Sequence, residues 1–354
     1  MVRGSRQFHS KSRRCNLEAP ICFNCRRRGE PCDYLDTLFG LESSAWSKTD
    51  QSLSLELDSV VSDLPMATLH WFLSTIPVFP VLSPAETAWL AGMLQQQVRV
   101  SPFLKLSIVS VCEMREWVDS GGSSDALYVA AHQHSIDAST RFRLTQLAVS
   151  DRSWPAALAF GLNNIIFQFA QSQRVHGVFD YITVFRVLRG TLSLTAHLRP
   201  FLFSDPLHGL LALRLKQPPA ALDRAAAEAL QRLQGLDNVH VHCAKAIVSL
   251  AGWARAVNGH PRSWLHFIGW PVAVTPEYLD MLEQGDSLSL VIFAHWTAFM
   301  HRAPPRWFSK GWARRAATDA MAKVDQAWRE HLDWPMAEVG NETPPECEVV
   351  VSTG

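Results

Sequence analysis

The chain has 354 residues, 47% of them hydrophobic and 19% charged, which is enough apolar material for a sizeable buried core and excludes a disordered or fibrous composition. Its 33 basic and 33 acidic residues cancel, so whole-chain charge names no partner. The distribution does: residues 1–32 hold eight Lys or Arg against Glu18 and Glu30, a surplus of six, and the other residues sum to minus six. A basic head on a mildly acidic body is built to meet a polyanion.

The first thirty residues are basic and lack an apolar run, so they do not read as a secretory signal. The longest apolar stretch, Leu288 to Met300, is broken by His295 and Thr297 and is too short for a bilayer. It reads as a buried core helix, and no membrane span is expected. Four of the seven cysteines lie within eighteen residues. In a chain that stays inside the cell, such crowding points to metal before disulfides.

Three zones and a tail follow in order. Residues 1–35 are basic and Cys-rich; residues 36–65 are rich in Ser, Asp and Leu and read as a flexible linker; residues 66–340 alternate apolar periodic segments with turn signals; residues 341–354 form a polar, disordered tail. In the large zone, Ser83-Pro84-Ala85-Glu86 is a capping box that opens a helix with Trp89, Leu90, Met93 and Leu94 on one face. Ser101-Pro102 starts a helix in which Leu104, Ile108, Val111 and Cys112 recur at helical spacing. Asp223 to Gly235 joins strong helix formers to a terminal glycine. Thr275-Pro276-Glu277 starts another helix, through Tyr278, Leu279 and Leu282, that stops near Gly285. NVHVHC at 238–243 is the main stretch alternating with period two and reads as a strand end. The fold class expected is all-α.

The cysteines are spaced Cys15-x6-Cys22-x2-Cys25-x6-Cys32. A Cys-x2-Cys turn lets two thiolates meet one ion, and zinc favours tetrahedral thiolate sites. Arg26, Arg27 and Arg28, with Lys11, Arg13 and Arg14, offset thiolate charge and can face phosphates.

These residues resemble the binuclear zinc-cluster DNA-binding domain of fungal transcription regulators. Cys15, Cys22, Cys25 and Cys32 match its third to sixth cysteines, and the proline before Cys22, Gly29 and Asp33-Tyr34 follow common usage. Where the spacing calls for the first two cysteines, this chain has Ser5 and Phe8. Two alignments of the start are open. Without a gap, His9 to Arg14 occupy the base-reading helix and Lys11 stands where a lysine usually touches bases. With a gap, His9 to Arg13 match the basic lead-in, which they fit better, and a block with two cysteines and the reading helix is missing. Either way Cys22, Cys25 and Cys32, with Cys15 or His9 as a fourth ligand, are left for one ion, and fewer than two zinc ions are expected.

The body resembles the regulatory half of the same regulators, particularly the group that includes sterol-uptake control proteins. The resemblance is carried in order by ATLHWFLS (67–74), SPFLKLSIVSVCEM (101–114), ALYVAAHQHSIDAS (126–139), VFDYITVFRVLRGT (178–191), WPVAVTPEYLDML (270–282), SLSLVIFAHWTAFMHR (287–302), WFSKGWARRA (307–316) and WPMAEVG (334–340). It implies a nuclear regulator that binds promoter DNA through zinc, with a helical domain for regulation, pairing as a homodimer or with another regulator, and binding of a sterol-like or other apolar ligand. Read from the residues alone, Trp270 and Trp334 are packing positions, His132 and His134 are surface or satisfied histidines, and Arg314-Arg315 is a solvated face. His240, His242 and Cys243 resemble a metal set, but no further ligand cluster accompanies them. No Gly-x-Ser-x-Gly elbow, phosphate loop, dinucleotide fingerprint or His-Glu-x-x-His occurs, so no enzyme is expected.

Overall fold

The structure, a computed structural model, describes residues 64–75, 84–144, 150, 152–174, 179–204 and 222–340. Among these residues the fold is all-α, with thirteen α-helices, one 3₁₀ helix and no strand. The helices are α1 Met66–Thr75, α2 Pro84–Val100, α3 Pro102–Asp119, α4 Asp125–Leu144, α5 Trp154–Gln171, α6 Tyr181–Ser204 and α7 Arg224–Gln234. There follow α8 Val241–Ala256, α9 Trp264–Ala273, α10 Pro276–Glu283, α11 Ser287–His301, α12 Trp312–Ala322, the 3₁₀ helix Gln326–Leu332 and α13 Asp333–Gly340.

Several helix starts lie where local chemistry puts them. Asp223 caps α7 by accepting from the Ala226 amide at 2.9 Å, and Gly235 ends it. Thr275 caps α10 by accepting from Tyr278 N, with Pro276 at the first helical position. Ser101 precedes Pro102 at the start of α3, although its hydroxyl makes no capping bond.

One continuous core runs from Leu64 to Val339. In its first half α3 pairs with α4 and lies on α5, and α6 bridges α5 to α9. Between them, Ser110 Oγ donates to the Ala131 carbonyl at 2.8 Å, and Asn163 Nδ2 donates to Ser107 Oγ at 2.9 Å. The second half surrounds α11, every residue of which from Ser287 to Met300 is buried. Helices α8, α10, α12, α13 and the 3₁₀ helix all pack on it. The Leu288–Met300 stretch is therefore the buried core helix that its composition announces, and Trp270 and Trp334 are buried in the same core. No helix among the described residues is long and apolar enough to cross a membrane.

Two expectations are corrected. NVHVHC is not a strand end: His240 has φ −56° and ψ 137°, and the chain enters α8 at Val241. The wider pattern wins, because Cys243, Ala246, Ile247, Leu250 and Ala254 recur at helical spacing and are all buried. Trp89 is 53% exposed, while Leu90, Ala91, Leu94 and Val98 form the buried stripe of α2. One residue turns a helix by about 100°, which places Trp89 on the rim of that stripe.

Helices α8 and α9 approach closely at Gly269, where Trp253 Nε1 donates to the His266 carbonyl at 2.8 Å. A Cβ on Gly269 would lie 2.9 Å from Trp253 Cδ1, whereas a Cβ on Gly252 meets nothing within 4 Å. The two glycines should respond oppositely to alanine. Gly252→Ala is expected to stabilise by about 0.5–1 kcal/mol through helix propensity. Gly269→Ala gains the same propensity but overpacks at about 1–3 kcal/mol, for a net loss. Chemical-denaturation midpoints of the two variants check this; midpoints moving in the same direction would contradict the close approach.

Candidate functional site

All ten residues that the sequence marks for zinc and DNA, namely Cys15, Cys22, Cys25, Cys32, Lys11, Arg13, Arg14, Arg26, Arg27 and Arg28, lie outside the described residues. So do residues 36–63 of the linker read over 36–65, and the tail from 341. Within the described part, polar chemistry concentrates where three helices begin together. His240 precedes α8, Thr275 precedes α10 and Asp286 precedes α11.

Asp286 is the hub of this group. Its Oδ2 accepts from the Ser289 amide at 2.9 Å and from the Ser289 hydroxyl at 2.8 Å. With its proton so engaged, Ser289 Oγ is left to accept from the Cys243 thiol at 3.4 Å. Burial pushes the Cys243 thiol up, Ser289 opposes this and Asp286 reinforces it. Such a thiol stays protonated and is a poor nucleophile. Tyr278, pushed well up by burial, donates to the Ser289 carbonyl at 2.9 Å. His242 Nδ1 shares a 2.9 Å hydrogen bond with Thr275 Oγ1 and lies 3.6 Å from Glu277.

This arrangement satisfies caps and hydroxyls inside the protein. The His240 and His242 rings stack at 5.3 Å, while Cys243 turns into the core, so the three residues do not converge on one point. Among the described residues, no group of three His, Cys, Asp or Glu is placed to hold a metal ion. The chemistry of the nexus is positional: it sets three helix starts against one another.

The other flagged residues fall in distinct places. His134 Nδ1 donates to Glu113 at 2.7 Å across α3 and α4, and that bond raises its pKa. His132 is pressed between Tyr128 and Phe167, and burial, helped by Arg174, lowers it to about 4. Arg315 does not sit on a solvated face as read from the sequence. Its Nη1 donates to the Ser172 carbonyl at 2.9 Å and its guanidinium lies over Phe179 at 4.3 Å, whereas Arg314 is exposed. The reason lies in α5, whose C-terminal carbonyls attract cations.

The sequence reading missed Arg302. Its guanidinium bonds Glu338 of α13 and Asp223 at the start of α7, and it lies over Trp334 at 5.4 Å. The only local signal was a basic residue at the end of α11; its partners stand 36 and 79 residues away.

No family model, no curated protein and no solved structure matches this chain.

His295 on α11 gives the core a sign of pH dependence. It is fully buried, its Nδ1 donates to the Val291 carbonyl at 2.8 Å, and burial lowers its pKa to about 4. The folded value thus lies below the unfolded value near 6.5. Below pH 6.5 the unfolded chain binds a proton that the folded chain refuses, so stability falls as pH falls, down to about 4. The expected slope is about 1.4 kcal/mol per pH unit for this residue. Denaturation free energies between pH 7 and pH 5 should therefore fall less steeply for His295→Phe, with the difference in slope growing from small near pH 7 toward about 1.4 kcal/mol per pH unit near pH 5. Identical slopes would show that His295 does not remain neutral.

Proposed function

We propose that this chain is a fungal-type transcription regulator that acts in the nucleus. Residues 1–35 meet promoter DNA and the helical domain from 66 to 340 governs the output. The observation that carries this reading is Cys15-x6-Cys22-x2-Cys25-x6-Cys32 set among Lys11, Arg13, Arg14, Arg26, Arg27 and Arg28. The donor set fits zinc: four thiolates make one tetrahedral structural site, with His9 as a substitute for Cys15. Bound zinc would order this short segment, because a structural ion supplies folding energy that so few residues lack. The arginines then contact phosphates, which gives affinity but little base discrimination. An all-α body is in keeping with the regulatory half of such proteins.

A second reading is favoured by Ser5 and Phe8 standing where two further cysteines belong. On that reading the chain is a relative without DNA binding, acting through its helical domain by pairing with another copy or regulator, or by taking up an apolar small molecule.

Metal analysis of the purified chain is expected to find one zinc, held by Cys22, Cys25, Cys32 and a fourth ligand. Cys22→Ser should abolish its tight binding. Two tightly held ions per chain would overturn the incomplete cluster. No zinc at all, with no duplex DNA bound at low salt, would favour the second reading.

A further inference from the structure

Charge along the chain is segregated more sharply than the basic head alone implies. Residues 302–315 hold Arg302, Arg306, Lys310, Arg314 and Arg315 and no acid, a surplus of five. Residues 1–32 hold a surplus of six, so everything else sums to minus eleven. The rest of the body is acidic on average, and 302–315 is a dense, acid-free basic stretch within it.

Two of the five cations serve the interior. Arg302 is bound to Glu338 and Asp223, and Arg306 is buried, donating to the Arg262 carbonyl at 2.6 Å. Lys310, Arg314 and Arg315 remain, and the fold brings Arg174 beside them. Arg315 reaches the Ser172 carbonyl, and Gln173 Nε2 donates to the Trp307 carbonyl at 2.6 Å, so the end of α5 and the approach to α12 are stitched together. Arg174 follows immediately and lies over Tyr128 at 4.6 Å. Lys310, Arg314 and Arg174 are exposed. Among the described residues no ion pair joins any of these four cations to a carboxylate. Asp119 is paired with Arg115, whose guanidinium lies over Trp307.

We propose that the surface formed by Arg174, Lys310 and Arg314, pinned where α5 ends and α12 begins by the Arg315 bond to Ser172, is a second contact for the phosphate backbone of DNA. This inference rests on the reading of the chain as a DNA-binding regulator and adds a site on its helical domain. The cations line an exposed junction, which suits an extended polyanion carrying a charge every 1.7 Å or so along its axis. The aromatic rings beneath are already capped by guanidinium groups: Tyr128 by Arg174, Phe179 by Arg315 and Trp307 by Arg115. Those ring faces are closed to base stacking and to the apolar anchors that a peptide ligand relies on. The net charge of minus eleven over the rest of the chain disfavours a duplex on average, which makes a dense local surplus of cations the favoured approach.

The test uses the full chain, zinc-loaded, and a fluorescent 20-base-pair duplex titrated across a range of KCl concentrations. The triple variant Arg174→Gln, Lys310→Gln, Arg314→Gln leaves Arg315 in its structural bond. Its log–log salt slope is expected to be shallower by about 0.9 per lost phosphate contact, and so by up to about 2.7. The charge-keeping variant Arg174→Lys, Lys310→Arg, Arg314→Lys should retain the wild-type slope, which separates lost contacts from misfolding. An unchanged slope in the Gln variant, with duplex binding intact, overturns the second contact and leaves the regulator reading standing. A wild-type chain that binds no duplex at low salt overturns both. Poly-glutamate bound through these residues as tightly as the duplex overturns the phosphate assignment and makes this surface a site for acidic peptides.

Discussion

A helix buried on every side meets its polar side chains without water: in α11 Ser287, Ser289, His295 and Thr297 all find partners within the protein, and the Trp296 indole N–H finds none. Thr297 Oγ1 donates to the Ala294 carbonyl at 2.9 Å, His295 donates to Val291, and Ser289 is bound to its own cap, Asp286. A buried polar group without a partner costs about 1–3 kcal/mol, so these four bonds are what let α11 occupy the centre despite the unpaired Trp296 indole. Once it is there, the surrounding helices have a fixed apolar surface to cover. Phe293 meets Tyr181 and Phe185 of α6, Trp296 meets Trp270 of α9, and Phe299 meets Trp253 of α8 and Trp334 of α13.

The two ends of α11 then organise what lies around them. At its start, Asp286 anchors the meeting of three helix starts, and Ser287 donates to Asp325 at 2.7 Å, holding the 3₁₀ helix. At its end, Arg302 ties Asp223, at the start of α7, to Glu338 in the last turn of α13. Gly259, at φ +70°, allows the chain to pass beside that guanidinium: an added Cβ would stand 3.3 Å from Arg302 Nη1. Helix ends, rather than clefts, carry most of the buried polar chemistry described here.

What the sequence made legible was local. Asp223 with Gly235, and Thr275 with Pro276, announce their helices because a cap is chemistry between near neighbours. Leu288 to Met300 announced a buried helix because its apolar character does not alternate. Positions decided by distant partners were not legible: Arg302 looks like an ordinary C-terminal cation, and Arg315 like a surface one. NVHVHC misled because four residues of alternation cannot outvote the helical spacing of the twelve that follow. The residues that speak most directly to function, the cysteines and their arginines, lie outside the described helices; their reading rests on spacing and donor chemistry.

The central claim is that α11 is the axis on which the helical domain depends. Native-state hydrogen exchange tests it most directly. The amides of Val291 to Met300 should exchange only through global unfolding, with the largest free energies in the chain and a denaturant dependence equal to that of the whole domain. The result that would contradict the account is exchange of these amides at a lower free energy than those of α3 and α5, which would place the stable centre in the first half and leave α11 a passenger.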